Sequence, residues 1–238
     1  GCISGTNPVI SCCPDTGGPG ASIILSPTLT SIAAAAFQAC KITGTLKLPF
    51  SVSTIEPSAF QVTAITGLEL NNNLLSIGSY AFFGCASLTG ALVIPNSVTA
   101  IGNYAFFSTA LQSIIIGSSV ATIGNFAFAN LGLTVTEITI LSTSLNSVGA
   151  NAFGGLCTMG SKPVTVKFLS YAVYRQWGDR VAGCNVLYPS IAPTVATTKS
   201  PTITPTQSLQ PTVSKSPALP NRQMTKPPYI AINGAIGN

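Results

Sequence analysis

The residues that could carry out acid–base or nucleophilic chemistry are few and scattered. The chain has no histidine, so the commonest general base and the commonest metal ligand are both missing. A pair of carboxylates that flank one bond can hydrolyse a glycoside, but no two acidic residues are spaced to form such a pair. The five acids are Asp15, Glu56, Glu69, Glu137 and Asp179. The sequence therefore predicts a protein that is not an enzyme, with no cofactor and no metal site.

The seven cysteines favour disulfides over metal binding or thiol catalysis. None forms a Cys-x-x-Cys pair, and three lie within the first 13 residues. Such usage is typical of an oxidising, extracellular compartment. A catalytic thiol would need a basic partner that lowers its pKa, and no histidine can supply one.

The sequence contains a repeated motif, which indicates how its structural elements are arranged. The motif "IGNYAF", which ends at Phe106, returns as "IGNFAF", and related segments recur every 22 to 25 residues. Six copies end on an Ala-Phe pair, at Phe37, Phe60, Phe82, Phe106, Phe128 and Phe153. A period of this length indicates a solenoid, in which each coil buries its apolar side chains against the next. We therefore expect the repeated Ile, Ala and Phe residues to form the core.

Short strands are predicted before each motif, where two apolar residues flank a middle residue. The apolar pairs are Ile23/Leu25, Leu46/Leu48, Leu68/Leu70, Leu92/Ile94, Ile114/Ile116, Ile138/Ile140 and Val166/Phe168. This alternation is typical of a strand with one buried face. The predicted fold is mainly β, a solenoid of about seven coils with parallel stacked short strands.

The segment "LVIPNSVTAIGNYAFFSTALQSIIIGSSVATIGNFAF" resembles the BspA-like, or treponemal-type, leucine-rich repeat. The consensus of that repeat is Ile-Pro-x-Ser-Val-x-x-Ile-Gly-x-x-Ala-Phe-x-x-Cys, and Cys40 and Cys85 match its cysteine. The segment "FLSYAVYRQWGDRV" resembles the Tyr- and Trp-containing end of such arrays. The resemblance covers residues 22 to about 188 and implies the solenoid fold; repeats of this type serve adhesion, host binding and scaffolding alike.

Four regions follow from these patterns. We expect residues 1–21 to form a Cys-rich N-terminal cap, 22–168 the leucine-rich-repeat solenoid, 169–188 a C-terminal cap and 189–238 an extended tail. Caps are needed because the end coils would otherwise expose apolar layers. We expect Cys157 to pair with Cys184, and two of Cys2, Cys12 and Cys13 to pair with each other or with Cys40. Cys85, at a core position, is predicted to be a buried free thiol.

The surface carries very little charge. Only 6% of the residues are charged, against about a quarter in ordinary soluble domains. The middle residues of the seven predicted strands, called here the outer row, should point away from the core. They are Ile24, Lys47, Glu69, Val93, Ile115, Thr139 and Lys167. An uncharged sheet with Val93 and Ile115 at its centre suits contact with another protein, although singly exposed apolar residues are also tolerated on protein surfaces.

The tail changes composition abruptly and alternates Pro with Ser and Thr. Such a segment favours polyproline II or a disordered linker. Its candidate O-glycosylation sites are Thr194, Ser200, Thr204, Thr212 and Ser216. Near its end, Tyr229, Ile230 and Ile232 alternate enough to add a strand to another sheet edge. Its basic residues lack interleaved aromatics, which argues against nucleic acid, and no apolar run is long enough for a membrane span.

Two functions remain open on the sequence alone. The first is an extracellular structural protein that self-assembles, into a filament or surface layer, through the solenoid surfaces and the tail. The second is a cell-surface adhesion or recognition module that binds a protein or glycan, with the tail as its stalk. Solution size separates them, because the first predicts a homo-oligomer and the second a monomer.

Overall fold

The computed structural model describes residues 21–132, 134–156, 164–177 and 184–188. These residues form a coil of about six turns, and every strand pairing among them is parallel. The fold class predicted from the repeat is therefore confirmed. The six turns are one fewer than the seven coils expected, because the last predicted strand is not followed by another Ala-Phe turn.

One face of the coil carries eight of the described strands, most of them longer than those of the second sheet. They are β1 (Ala21–Ser22), β3 (Ile42–Lys47), β5 (Ala64–Glu69), β7 (Thr89–Val93), β9 (Ala110–Ile116), β11 (Glu137–Ile140), β13 (Thr165–Phe168) and β14 (Asn185–Leu187). They divide into a three-stranded sheet in the order β1-β3-β5 and a five-stranded sheet in the order β7-β9-β11-β13-β14. The pairing of β3 with β5 shifts register at Gly44, and that of β7 with β9 shifts at Gly90.

A second sheet lines another side of the coil with two-residue strands. They are β2 (Ser31–Ile32), β4 (Thr54–Ile55), β6 (Ser76–Ile77), β8 (Ala100–Ile101), β10 (Thr122–Ile123) and β12 (Ser147–Val148). Each pairs with the equivalent strand of the neighbouring turn, so the Ile or Val of the motif always faces the core. This register explains why the sequence repeats an aliphatic residue at this position.

Two residues in each turn adopt a left-handed backbone, and most of them are not glycine. The first directly precedes the Ala-Phe pair and has φ between 50° and 60°; these residues are Ala35, Ser58, Tyr80, Tyr104, Phe126 and Asn151. The second lies two residues after the Phe; these are Ala39, Val62, Gly84, Ser108, Asn130 and Gly155. A left-handed conformation costs a non-glycine residue about 1 kcal/mol or more, so the stacked turn has to compensate for it.

Hydrogen bonds between neighbouring turns provide this compensation. The backbone N–H of Tyr80 donates to the carbonyl of Asn103 at 2.8 Å, and that of Phe82 to Ala105 at 2.8 Å. The other turns repeat the pattern, so the bend of each coil is bonded to the bend of the next. Within this bend, the side chain of Tyr80 points to solvent, whereas Ala81 and Phe82 are fully buried.

Glycine in the Ile-Gly motif is explained by the close approach of these turns. A Cβ atom at Gly102 would collide with the backbone nitrogen of Ser79, and one at Gly124 with the backbone nitrogen of Asn103. No side chain larger than hydrogen therefore fits at either position without separating the coils.

A column of six phenylalanines runs through the core. Successive rings from Phe37 to Phe153 stack nearly parallel, with centroids 5.1 to 5.6 Å apart. All six are buried. This spacing is slightly larger than the distance of about 4.8 Å between neighbouring strands, and the ring column follows the same repeat of one turn as the backbone ladders. The prediction that the Ala-Phe pairs form the core is confirmed.

The C-terminal end of the described coil contains a helix and an additional strand. Helix α1 (Tyr171–Trp177) begins after Ser170, whose hydroxyl accepts a hydrogen bond from the N–H of Val173 at 3.4 Å. The indole N–H of Trp177 donates to the carbonyl of Leu145 at 3.1 Å, which ties the helix to the last turn. Strand β14 then pairs with β13, whereas the sequence indicated only a helical cap here.

Candidate interaction surface

The second half of the outer row lies on consecutive strands of one sheet. Val93, Ile115, Thr139 and Lys167 occupy matching positions of β7, β9, β11 and β13, and Leu187 of β14 extends the row. Val93 is 53% exposed, Ile115 36% and Leu187 53%. The sequence pattern missed Leu187 because residues 185–187 were expected to belong to the cap.

The first half of the outer row is separate from the second. Lys47 and Glu69 match each other on β3 and β5, which belong to the other sheet. Ile24 lies beyond the end of β1 and is 92% exposed. The continuous row expected from the sequence is therefore interrupted between Glu69 and Val93.

Charges within the outer face are paired. The Lys47 ammonium lies 3.1 Å from the carboxylate of Glu69, which is its partner in the register of β3 and β5. A second pair, between Lys167 and Glu137 at 2.7 Å, was not expected, because Glu137 is displaced diagonally from Lys167 across β11 and β13. The hydrogen bond from Lys167, supported by one from Thr139, lowers the pKa of Glu137. The exposed apolar side chains of Val93 and Ile115 therefore lie between two ion pairs, Lys47–Glu69 and Lys167–Glu137.

Two columns of aromatic rings form a second surface, which the sequence interpretation did not identify. The first column contains Tyr80, Tyr104 and Phe126, whose centroids are 5.0 Å apart and whose planes are nearly parallel. The second contains Phe83 and Phe107, 5.3 Å apart. We call these the aromatic columns. The residues of the first precede the Ala-Phe pair, and those of the second follow it.

The left-handed backbone of Tyr80, Tyr104 and Phe126 accounts for the surface position of the first aromatic column. Tyr80 is 37% exposed, and the other four rings are half-buried. Tilted contacts between the columns, such as the 5.6 Å pair of Tyr80 and Phe83, join them into one platform. The sequence signal was the aromatic before Ala in three copies of the motif, but its direction depends on a positive φ that the sequence does not reveal.

The aromatic columns end beside a groove. The next turn carries Asn151 where the first column would continue, and Ala129 follows Phe107 where the second would continue. The groove that results has a volume of about 560 Å³, and its lining includes Phe107, Phe126, Asn130 and Asn151. A Cβ atom placed on Gly132 or Gly155 would meet no atom within 4 Å. We call this recess the end groove.

The described cysteines fall into two groups. Cys40 and Cys184 are both disulfide-bonded. The other candidates for those bonds (Cys2, Cys12, Cys13 and Cys157) lie outside the described residues, so the pairing remains a prediction. Cys85 is a buried free thiol, as expected, and its sulfur lies 3.3 Å from the Thr63 hydroxyl. Burial raises the pKa of the Cys85 thiol.

The candidate sites of the tail also lie outside the described residues. They are the strand-forming Tyr229, Ile230 and Ile232 and the glycosylation candidates Thr194, Ser200, Thr204, Thr212 and Ser216. Within the described ranges, no three His, Cys, Asp or Glu residues group as metal ligands would. No helix in the described ranges is both long and apolar enough to cross a membrane.

The fold and these surfaces define a parallel leucine-rich-repeat solenoid with a sheet face whose charges are paired and an exposed aromatic platform. A model of the BspA type Leucine rich repeat region, in six copies, matches residues 20–134 and 90–161. The chain belongs to this family, which confirms the resemblance drawn from its motifs.

No curated protein matches the chain, but a solved structure is similar to it. The crystal structure of the pneumococcal vaccine antigen PcpA aligns with 71% of this chain at a TM-score of 0.56 and 18% sequence identity. The alignment covers 42% of the PcpA chain. At this identity the similarity shows the fold alone.

Proposed function

We propose that this chain is an extracellular, non-enzymatic structural protein that assembles with copies of itself through its solenoid surface and its Pro/Ser/Thr-rich tail. The observation that carries the proposal is the adjacent pair Val93 and Ile115, exposed at matching positions of β7 and β9. Two apolar side chains on neighbouring strands form a patch whose contact with another surface removes both from water.

Electrostatics supports contact between like copies. The acids and bases nearest this patch are paired with each other, so two identical faces meet without strong repulsion. Two identical faces that meet in this way close into a dimer, so a further contact that does not close on itself, such as one made by the tail, would extend the dimers into a fibre or layer. With 6% charged residues, the chain has little repulsion to oppose such growth.

Replacing Ile115 by Lys tests the sheet face. Because like charges opposed in an interface are costly, we expect Ile115→Lys to weaken self-association by about tenfold or more in sedimentation experiments. Ser147→Lys is the matched control, since it adds the same charge at an exposed position of the second sheet, away from this row. Circular dichroism would confirm that both variants fold. Unchanged association of Ile115→Lys would overturn the role of this face.

The contribution of the tail is tested separately by truncation. Removal of residues 189–238 should shorten or abolish assemblies that the full chain forms, because the tail supplies a candidate strand for a neighbouring sheet edge. Unchanged assemblies after truncation would confine self-association to the solenoid.

A second candidate function is adhesion or recognition at a cell surface, with the tail as stalk. The aromatic columns favour it, because exposed and rigid aromatic groups are typical of recognition sites. The shared fold with a pneumococcal vaccine antigen is consistent with a surface location. A monomer that binds a foreign protein or glycan would favour this function over self-assembly.

A further inference from the structure

The aromatic columns end abruptly, which leaves ring faces available beside the end groove. Within the described residues, Phe126 stacks on Tyr104 through one face, and Phe107 stacks on Phe83 in the same way. No ring of the following turn continues either column, because Asn151 and Ala129 occupy the corresponding positions. The groove therefore begins where the next pair of rings would otherwise lie.

The lining of the end groove is aromatic and amide in character. The exposed amide of Asn151 forms no hydrogen bond within the described part of the chain. The Asn130 amide nitrogen donates to the Ser108 hydroxyl at 2.6 Å, which orients its side chain and leaves the amide oxygen as an acceptor. The lining residues carry no charged side chain. Its volume of about 560 Å³ lies within the usual range for ligand pockets, about 300–1,000 Å³.

These groups match the chemistry of a sugar ring. One side of a pyranose presents weakly positive C–H groups, which are attracted to the negative face of an aromatic ring. Its hydroxyls both donate and accept hydrogen bonds, as do asparagine amides. A charged ligand would find no counter-charge among the lining residues. We infer that the end groove binds a neutral glycan, with a sugar ring stacked against Phe126 or Phe107 and hydroxyls bonded to Asn130 and Asn151.

This site deepens the adhesion function and rests on it, but it is distinct from the sheet face. It involves neither Val93 nor Ile115, so loss of glycan binding and loss of self-association are measured independently. If Ile115→Lys abolishes assembly and leaves glycan binding intact, the two surfaces act separately.

The repeat supplies substitutions that should preserve the fold. Tyrosine occurs at the position of Asn151 in two earlier turns, at Tyr80 and Tyr104, with nearly the same φ. Asn151→Tyr should therefore continue the first column and fill the groove. Ser58 occupies the same position in the second turn, so Phe126→Ser removes the ring at the groove. Tyr80→Ser is the matched control, because it removes the ring at the opposite end of that column.

The experiment measures binding of the full chain to a printed array of neutral hexose and N-acetylhexosamine oligosaccharides. The array includes anionic glycans for comparison, and a synthetic proline-rich peptide is tested in parallel. We expect binding to at least one neutral glycan. Phe126→Ser and Asn151→Tyr should each weaken it by about tenfold or more, while Tyr80→Ser leaves it unchanged.

Four results would overturn the inference: no binding to any neutral glycan, preference for anionic glycans, full binding by Asn151→Tyr, or binding of the proline-rich peptide in place of sugars. Thermal melting of Phe126→Ser and Tyr80→Ser should be similar, because each loses one terminal ring of the same column. A loss of binding in Phe126→Ser alone therefore reports on the groove and not on unfolding.

Discussion

Replacing Phe106 by Ala tests whether the core column couples the turns. Phe106 is fully buried and stacks on Phe82 at 5.2 Å and on Phe128 at 5.3 Å. Truncation of a buried Phe to Ala costs about 3–5 kcal/mol of unfolding free energy, and each aromatic pair contributes about 0.5–1.5 kcal/mol beyond burial. Because Phe106 has two stacking partners, we expect Phe106→Ala to lower the free energy of unfolding by about 4–5 kcal/mol, near the upper end of this range. That is a large part of the 5–15 kcal/mol typical of a domain.

Phe153→Ala is the matched comparison at the end of the column. Phe153 is 5% exposed and stacks on one ring, Phe128, at 5.6 Å. We expect Phe153→Ala to lower the free energy of unfolding by about 1 kcal/mol less than Phe106→Ala, because Phe153 has one stacking partner fewer and is slightly less buried. Urea unfolding followed by circular dichroism measures both. An equal or larger loss for Phe153→Ala would refute the idea that stacking between turns strengthens the core beyond simple burial.

Three further predictions concern single positions. Gly124→Ala should lower stability by about 1–3 kcal/mol and reduce the melting temperature, because the added methyl collides with the backbone of the preceding turn; an unchanged melting temperature would contradict this close approach. Glu137→Gln should cost a few tenths of a kcal/mol at neutral pH, since the ion pair with Lys167 is exposed. The pKa of Glu137 is lowered in the folded state, so its stabilisation is present above the ordinary carboxyl pKa of about 4.3 and is lost as the pH falls further. The free energies of unfolding of the wild-type chain and of Glu137→Gln, measured by urea titration at several pH values, should become equal at acidic pH. A difference that stays constant with pH would contradict the lowered pKa of Glu137. Cys85 should react with a thiol reagent only after unfolding, because it is buried and its pKa is raised; rapid labelling of the native protein that disappears in Cys85→Ser would be inconsistent with that burial.

The core was predictable because its pattern recurs six times. Each Ala-Phe pair faces a neighbour of its own type, so the register of one turn fixes that of the next. Cys85 was also predictable, since it occupies a core position of the consensus. The same reasoning gave the exposed positions of Val93 and Ile115, because side chains alternate across a strand.

The aromatic platform was not predictable in this way. Its rings point outward because Tyr80, Tyr104 and Phe126 adopt a left-handed backbone that aromatic residues rarely take. Hydrogen bonds between stacked turns offset the energetic cost of that conformation, and these bonds form only in the assembled coil. A pattern of residue types in one turn does not reveal them.

The ends of the array were also less predictable than its middle. Asn185–Leu187 extends the five-stranded sheet, although it has no Ala-Phe turn to mark it as part of the repeat. The break in the outer row after Glu69 likewise depends on how the long strands divide into two sheets, which the regular spacing of the motif does not show.

Electron microscopy of the full chain tests the central claim most directly. If the sheet face and the tail assemble copies of this solenoid, micrographs at rising protein concentration should show elongated or layered assemblies, and Ile115→Lys should disperse them while Ser147→Lys does not. Single solenoid particles at every concentration, with the wild-type chain and both variants alike, would contradict the claim.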